Sequence, residues 1–442
     1  MVGGSNPSRH SIQSNESKLF FYHPAQIAHS LPHFRSSLMN VRRDPIIVLL
    51  GLMTMMPVGG VIWQTIHYLI GLQRLGFQVY YAEDHGIAPS MFTDAVDHDG
   101  AEKAAAFIAR TLQPFDLGQR WSYHAWHGSD RYFGIGESAI KRALVNASAV
   151  INLHGGTIPR PEHLAGGAFI YLETDPVAPE IELHNNLEAT ANFLAQHTAH
   201  FTFGENLGAP DCRVPIPPAP LQFYPTRQPV VLDLWQSARP PGKLFTTIAN
   251  WRQPERQLEF EGEIYHWSKH HEFLKFVDLP RRTSQGFELA LSSYEEADRE
   301  MLVERGWKVR RALEFSGDAD AYRKFIIGSR GEWTVAKDQN VRLKSGWFSD
   351  RAASYLAAGR PVITQETGFS NFLPTGDGLF AFTTMDEILA ALEQVNADFS
   401  RHSQAACEIA REFFDAGKVL AKLLQEAGVS LRASVTPKRF AD

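Results

Sequence analysis

Short apolar runs alternate along the chain with longer segments in which apolar residues recur every three or four positions. The run at 46–52 predicts a buried strand, and the segment at 61–75 predicts an amphipathic helix that ends at Gly76. The next apolar run, at 77–82, predicts a second strand, so this region has the pattern of a βαβ unit. The same alternation resumes at 244. The pattern therefore predicts two α/β domains built on mainly parallel sheets.

A proline-rich stretch at 215–243 separates the two series and predicts an interdomain linker. The segment at 1–44 is rich in Ser, Asn, His and Pro, which predicts a poorly ordered arm. These features divide the chain into the arm at 1–44, a first domain at 45–214, the linker at 215–243, a second domain at 244–400, a helix at 401–428 and a tail at 429–442.

The bulk composition narrows the class of protein. The 442 residues are 44% apolar and 21% charged, with a net charge of −6 and no long basic run, so nucleic acid is not expected as a partner. No apolar run is long enough to span a bilayer, and no signal-peptide pattern precedes the first strand. Two cysteines far apart imply no disulfide framework. A cytoplasmic protein is expected, and the sequence leaves its oligomeric state open.

Polar residues follow several predicted strands of the first domain. His154, Asp175 and Glu205 each come directly after a buried run. Carboxyl ends of parallel strands meet at one edge of a sheet, where ligands of doubly wound folds bind. His154 and Asp175 are therefore candidates for catalysis, with Asp175 alternatively a cap or turn residue before Pro176.

Two glycines, Gly59 and Gly60, follow the first predicted strand and begin its helix. Residues without a side chain let the backbone approach a bound ligand closely. The alternative is that they only allow a tight turn between strand and helix.

The segment at 344–368 carries the most information. Gly346 predicts a sharp turn, Ser349 or Asp350 can cap the helix that follows, and Gly359 ends it. A helix N-terminus offers free N–H groups and a partial positive charge, which suit a phosphate. The candidate ligand-binding residues of this segment are Lys344, Gly346, Ser349 and Asp350, together with Gln365, Glu366 and Thr367 after the next strand.

This segment resembles the donor-binding segment of GT-B glycosyltransferases. Plant-type members carry Gly-Trp-Asn-Ser where this chain has Gly346-Trp347-Phe348-Ser349, and both continue to a Gly-x-Pro-Val turn, here at 359–362. The exit of the first helix, at 72–79, is similar to the Leu-x-x-Leu-Gly-His-x-Val of that family. The chain departs from the pattern at Ser354, where those enzymes place a Glu that holds the ribose, and Asp350 is the alternative holder.

The resemblance implies two Rossmann-like domains facing a cleft, with a C-terminal helix that crosses back to the first domain. It implies a nucleotide-diphosphate sugar as co-substrate, an acceptor molecule, no cofactor and no obligatory metal. Arg252 and Lys269 would then hold the diphosphate, and residues 365–367 the sugar. In retaining relatives a His after the corresponding strand contacts the sugar, which is the second interpretation of His154.

Two Asp-x-Asp sequences, at 97–99 and 318–320, resemble the metal-binding motif of GT-A transferases. Neither follows a clear apolar strand, and Asp318 is better interpreted as the N-cap of the next helix. No zinc-type spacing of Cys and His is present in the sequence, so no metal site is predicted.

The sequence therefore predicts a cytoplasmic GT-B glycosyltransferase of the hexosyltransferase type. Two alternatives remain open. A nucleotide-sugar epimerase on the same fold would have a similar donor site and no acceptor. A non-catalytic binding or partner protein would keep the fold without turnover, and the Ser at 354 is the feature that favours it.

Overall fold

The computed structural model describes residues 44–93, 99–253 and 256–431. The predicted arm at 1–44 lies outside these residues except for Asp44, as does most of the predicted tail at 429–442. Two sheets organise the described chain, and we refer to the parts built on them as the first half and the second half.

The first half is built on an eight-stranded sheet with the order β4-β3-β2-β1-β5-β6-β7-β8. All its neighbouring strands are parallel except β3 and β4. Its elements are β1 (Ile46–Leu50), α1 (Gly59–Arg74), β2 (Gln78–Glu83), α2 (Ala101–Leu112), β3 (Trp121–His124), β4 (Tyr132–Gly134), α3 (Glu137–Val145), β5 (Ala147–Leu153), β6 (Ala168–Glu173), α4 (Ala178–His184), α5 (Glu188–Leu194), β7 (Ala199–Thr202) and β8 (Phe223–Pro225).

The second half is built on a six-stranded, fully parallel sheet with the order β13-β12-β9-β14-β15-β16. An antiparallel hairpin, β10–β11, follows its first strand. The elements are β9 (Leu244–Asn250), β10 (Gln257–Phe260), β11 (Glu263–His266), α6 (His270–Lys275), α7 (Leu279–Arg282), β12 (Gly286–Ser292), α8 (Glu296–Glu304), β13 (Lys308–Arg311), α9 (Ala319–Ile327), β14 (Gly331–Thr334), α10 (Asp338–Leu343), α11 (Asp350–Ala357), β15 (Val362–Gln365), β16 (Leu379–Phe382), α12 (Met385–Ala397), α13 (Phe399–Ile409) and α14 (Ala416–Glu426).

The strand β1, at the centre of the first sheet, is apolar along its whole length because helices cover both faces of a parallel sheet. Residues 47–50 of β1 are completely buried, and α1 and α3 both pack on this strand. The prediction of two α/β units on parallel sheets is confirmed.

The segment predicted as a linker contains a strand. β8 pairs with β7 and so becomes the edge of the first sheet. Val230 then donates its N–H to the Phe414 carbonyl (2.6 Å) and accepts the N–H of Ala416 (3.0 Å). The last helix, α14, packs on α1, where Gly71 leaves room for the Leu420 and Ala416 side chains. The chain therefore returns from the second half to the first after residue 400.

Helices also join the two halves near the first strand. The indole Nε1 of Trp63 on α1 donates to the Ala319 carbonyl at the start of α9 (2.8 Å). Gly59 lies against Tyr322 on α9, and a Cβ at this position would come within 2.8 Å of the tyrosine Cβ. The first turn of α1 is thus packed tightly on the second half. Among the described residues, no helix has the length and apolar character needed to cross a membrane.

Candidate functional site

Strand ends from both halves meet where Asp175, after β6, forms an ion pair with Lys337, after β14. The Lys337 ammonium also lies 3.4 Å from the centre of the Trp267 ring. Burial lowers the pKa of Lys337 to about 8, although the Asp175 carboxylate acts in the opposite direction. A carboxylate from the first half and an amine from the second half therefore hold each other at the centre of the site.

Lys269, which immediately precedes α6, is a second amine at this place. The residue is only 9% exposed, and its ammonium lies 5.5 Å from the centre of the Trp347 ring. Within the described parts of the chain, this ammonium has no hydrogen-bond or ion-pair partner. Burial first, and then the positive charges of Arg351 and Lys337, lower the pKa of Lys269 well below its usual value.

Arg351, in the first turn of α11, is the third cation. Its guanidinium is fixed by Glu332, by the Ile248 carbonyl and by the Thr334 hydroxyl, the last at 3.0 Å. We call Lys269, Lys337 and Arg351 the cation cluster. Its counter-charges are the Asp175 and Glu332 carboxylates, and each already has a basic partner.

Asp350 lies next to the cation cluster at the beginning of α11. Its carboxylate accepts a hydrogen bond from the Gln64 amide of α1 (2.9 Å). Burial, with the negative charge of Asp175 as a further cause, raises the pKa of Asp350 to about 7. Ser349 occupies the N-cap position without a side-chain capping bond, and the Ser354 hydroxyl donates to the Asp350 carbonyl (3.1 Å). The hydroxyl at the family's ribose position is therefore engaged within its own helix.

His154 follows β5 in a left-handed conformation, with φ of +65°. Its Nδ1 is 2.7 Å from the Thr174 hydroxyl, and burial lowers its pKa to about 4, so the imidazole is neutral at pH 7. Its Nε2 is buried and has no partner among the described residues. The Thr174 carbonyl accepts the indole N–H of Trp347 (3.1 Å), which brings this strand end to the donor segment.

Gln365 is the last residue of β15 and does not follow the strand as predicted, and the side chains of residues 365–367 are hydrogen-bonded to other protein groups. The Gln365 side chain accepts from the Ala336 N–H (3.2 Å) and donates to Glu272 (2.6 Å). The Thr367 hydroxyl donates to the Trp347 carbonyl (2.6 Å), and the Glu366 carboxylate accepts the Gly368 N–H. These contacts fix the shape of the loop, and a contact of residues 365–367 with sugar remains a prediction.

The remaining predicted donor residues fall into two groups. The Lys344 carbonyl accepts a hydrogen bond from Asn206 (2.9 Å), and Gly346 has φ of +81° beside the same asparagine. Gly59 and Gly60 open α1, and Gly59 packs on Tyr322. Both groups lie where the halves meet, and their contact with a donor is untested.

Arg252, the other predicted diphosphate ligand, is engaged elsewhere. Its guanidinium makes two hydrogen bonds to the Asp298 carboxylate of α8, at 2.6 and 2.8 Å. A ligand would have to displace or share this ion pair. Its role in binding stays a prediction, and the cation cluster is better placed for an anion.

Sequence reasoning missed Lys337 and Arg351. Lys337 comes three residues after the buried strand β14. Polar residues that follow strands of the first half were selected as candidates for the same reason. No glycine or motif marks it, and its partner Asp175 is 162 positions away. Arg351 stands directly beside the predicted Asp350.

The aromatic residues of the first half divide by burial. Trp121 and Tyr123 on β3 are core residues, whereas Trp126 in the following loop is 41% exposed. Trp126 is thus the indole of this loop that a ligand can reach.

The two Asp-x-Asp sequences have structural roles where they are described. Asp318 caps α9 by accepting the Ala321 N–H (2.7 Å), as predicted. Asp97 lies outside the described residues. Within the described chain, no three Cys, His or acidic side chains are grouped for a metal ion.

Comparison with solved structures defines the fold. An α-glucosyltransferase in complex with UDP and a 13-mer DNA superposes with a TM-score of 0.54 at 8% identity, over 87% of this chain and 100% of that one. The Anabaena protein HepE, in complex with UDP-glucose, gives a TM-score of 0.50 at 12% identity, over 86% and 99%. By sequence, the chain matches no protein family and no curated protein. The fold is that of the GT-B glycosyltransferases, with two Rossmann-like domains, as the sequence predicted.

Proposed function

We propose that the chain transfers a sugar from a nucleoside-diphosphate sugar to an acceptor hydroxyl, and that the diphosphate binds at the cation cluster. The observation that carries this proposal is Lys269, a buried residue whose ammonium has no hydrogen-bond or ion-pair partner in the described chain. Its position between strand ends of a GT-B fold supports a donor site there.

A buried charge without a counter-charge is unfavourable, because water no longer solvates it and no protein group replaces the water. An anionic ligand removes this penalty, and the gain adds to its affinity. The charges of Lys337 and Arg351 lower the pKa of Lys269, and we propose that a single multivalent anion contacts more than one of the three. A diphosphate, with several oxygens on two phosphorus atoms, has the required size and charge.

Lys337 is the member of the cation cluster that we propose changes its partner when the donor binds. It is paired with Asp175 in the structure, and a phosphate oxygen would compete with that carboxylate for the ammonium. Donor binding would then release Asp175 toward the sugar and the acceptor. The first helical turn of α11, with Ser349 and Asp350, supplies backbone N–H groups on the same side.

In the transfer, the bond between the sugar C1 and the phosphate oxygen breaks, and a bond between C1 and the acceptor oxygen forms. The diphosphate leaves with the electron pair, and the cation cluster stabilises the negative charge that develops on it. The acceptor hydroxyl loses its proton. Asp175 is our candidate to receive it, and the neutral His154, with its free Nε2, is our candidate to contact the sugar.

Side-chain cations supply the positive charge in this scheme, so we propose that the reaction has no obligatory metal and uses no cofactor. The acceptor would bind on the first half, on the loops around the exposed Trp126. Hexosyl transfer and a cytoplasmic location remain predictions from the sequence.

A thermal-shift screen of the full chain against UDP, GDP, dTDP and ADP, with and without EDTA, tests the donor site. A ligand at a hundred times its dissociation constant stabilises a protein by about 2.7 kcal/mol. We expect one diphosphate to raise the melting temperature equally with and without EDTA. Failure of all four would contradict the proposal, and a shift lost in EDTA would contradict metal independence.

Turnover separates transfer from the alternatives. The sugar nucleotide with the base found in the screen is incubated with the chain and a mixture of glycan and small-molecule acceptors. Transfer releases the free diphosphate as the glycoside forms. An epimerase would convert the sugar nucleotide into its epimer in the absence of any acceptor, and a binding protein would leave it unchanged.

A further inference from the structure

The turn at 204–211 of the first half meets the donor segment of the second half at one side chain, Asn206. This residue is completely buried. Its Nδ2 donates to the Lys344 carbonyl (2.9 Å), and its main-chain N–H donates to the Ser345 carbonyl (3.2 Å). Its Oδ1 accepts from the Asn371 amide (2.9 Å). Asn206 thus hydrogen-bonds the second half on both sides of the donor loop, the name we give to residues 344–347 and 366–368. Asp211 of the same turn supports this contact, because it accepts from the Asn206 amide (3.1 Å) and from the Asn371 amide (3.2 Å).

Two glycines of the donor segment leave the space that Asn206 fills. Gly346 and Gly368 have φ of +81° and +94°, which side chains rarely adopt. A Cβ on Gly346 would lie 2.7 Å from the Asn206 Cβ, and a Cβ on Gly368 would lie 2.5 Å from its Nδ2. Both distances are shorter than real Cβ contacts allow. The glycines are therefore required by the contact with Asn206 as well as by the turn.

The loop held in this way leads to the cation cluster. The Gly346 N–H donates to the Thr367 carbonyl (2.7 Å), and this hydrogen bond joins residues 344–347 to residues 366–368. The Thr367 hydroxyl donates to the Trp347 carbonyl, and the Trp347 ring covers the Lys269 ammonium. A continuous series of contacts therefore connects Asn206, through Gly346, Thr367 and Trp347, to the Lys269 ammonium.

We propose that Asn206 is a positioning residue for donor binding: it holds the donor loop, through Lys344, Ser345 and the two glycines, in the shape that places Trp347 over Lys269. The inference rests on the proposed donor site. It adds that this shape depends on a residue of the other half, so the loop takes it only when the halves are in contact. A purely structural interface residue would contribute to stability and leave the loop and the ligand affinity unchanged.

The test compares Asn206→Ala and Asn206→Asp with Asn185→Ala in the full chain. The Asp variant keeps the size of the side chain, loses the Nδ2 donor and sets a carboxylate beside Asp211, so it breaks the same contacts without leaving a cavity if the Ala variant folds poorly. Asn185 is the matched control, because its amide also joins the halves, to the Glu259 carbonyl at 3.4 Å, but it is exposed and lies on the β10–β11 hairpin side.

The first measurement is hydrogen exchange of the ligand-free chain, read on peptides covering 344–347 and 366–368. We expect exchange there to rise by about tenfold in both Asn206 variants and to stay unchanged in the control, because local opening of the loop becomes easier. Unchanged exchange in the Asn206 variants would overturn the proposal. This arm needs no ligand.

The second measurement is the affinity for UDP, GDP, dTDP and ADP by calorimetry. We expect the diphosphate that binds the wild type to bind the Asn206 variants at least about fivefold more weakly, a coupling within the usual range. Faster loop exchange with wild-type affinity would overturn the positioning role. If the wild type binds none of the four, the proposed function fails, and the exchange measurement alone decides whether Asn206 holds the loop.

Discussion

Replacing Lys269 by methionine should change stability and ligand binding in opposite directions. Met has nearly the length of Lys and fills an apolar site without a charge. The wild-type ammonium is buried over Trp347 with no partner in the described chain, so the substitution removes an unfavourable group from the free protein. The same substitution removes the cation that the diphosphate is proposed to need.

The magnitude of the stability change follows from the cost of an unpartnered polar group. Mutational data place that cost at about 1–3 kcal/mol. Unfolding entropy of about 2.1 cal/mol/K per residue, over roughly 400 residues, gives a shift of about 1 °C for each kcal/mol. We therefore expect the melting temperature of Lys269→Met to rise by about 1–4 °C without ligand.

The magnitude of the binding change follows from the charge-assisted hydrogen bond that is lost. Such bonds contribute about 1.5–3 kcal/mol. At 1.4 kcal/mol per factor of ten, affinity for the diphosphate should fall by roughly 10- to 150-fold. Calorimetric titration of the nucleoside diphosphate measures this directly. Lys324→Met is the control, because Lys324 on α9 is exposed and paired with Asp320, and it should change neither quantity measurably.

The pH dependence of stability is an independent test of whether the Lys269 ammonium destabilises the free protein. The pKa of Lys269 is lower in the folded chain than in the unfolded chain, so the free protein gains stability as pH rises from the folded value to the unfolded one. The advantage of the methionine variant should therefore be largest below the folded pKa of Lys269, shrink as pH rises from that value, and disappear above about pH 10.4. A variant that melts lower than wild type and binds the diphosphate equally well would refute the reasoning.

Two further predictions follow from contacts at the interface of the halves. Gly59→Ala should destabilise the chain by about 1–3 kcal/mol through overpacking against Tyr322. Gly60→Ala should be neutral or slightly stabilising, because its Cβ would lie 4.0 Å from the Tyr322 hydroxyl and meet no closer atom. Thermal melts of the two variants test this difference, and equal melting temperatures would contradict this packing. Asp350 has its pKa raised to about 7, so its contribution to stability is fully present below its unfolded value and is lost as pH rises through 7. Wild type should therefore lose more stability than Asp350→Asn between pH 5 and pH 8 in denaturant titrations, and parallel curves would argue against a buried acid.

The architecture was accessible from the sequence because strand and helix periodicity repeats in both halves. The glycines at 346 and 368 and the capping role of Asp318 also follow from local rules, since backbone conformation and helix ends depend on neighbouring residues. Lys269 was selected by the family resemblance and not by a local rule.

The partners of these residues were not accessible, because each pair joins distant parts of the chain. Arg252 was predicted to hold a diphosphate, and the structure pairs it with Asp298, 46 positions away. Lys337 was missed although it follows a strand, since nothing nearby marks it. Asn206 shows the same limit: its hydrogen bonds to the donor loop span 138 positions, and a turn of the other half gives no local sign of them.

A crystal structure of the full chain with the nucleoside diphosphate selected by the thermal screen tests the central claim most directly. The account predicts phosphate oxygens within about 2.7–3.2 Å of the Lys269 ammonium, with Lys337 turned from Asp175 toward the ligand. Diphosphate bound elsewhere, with Lys269 still without a partner and the Lys337–Asp175 pair intact, would contradict it.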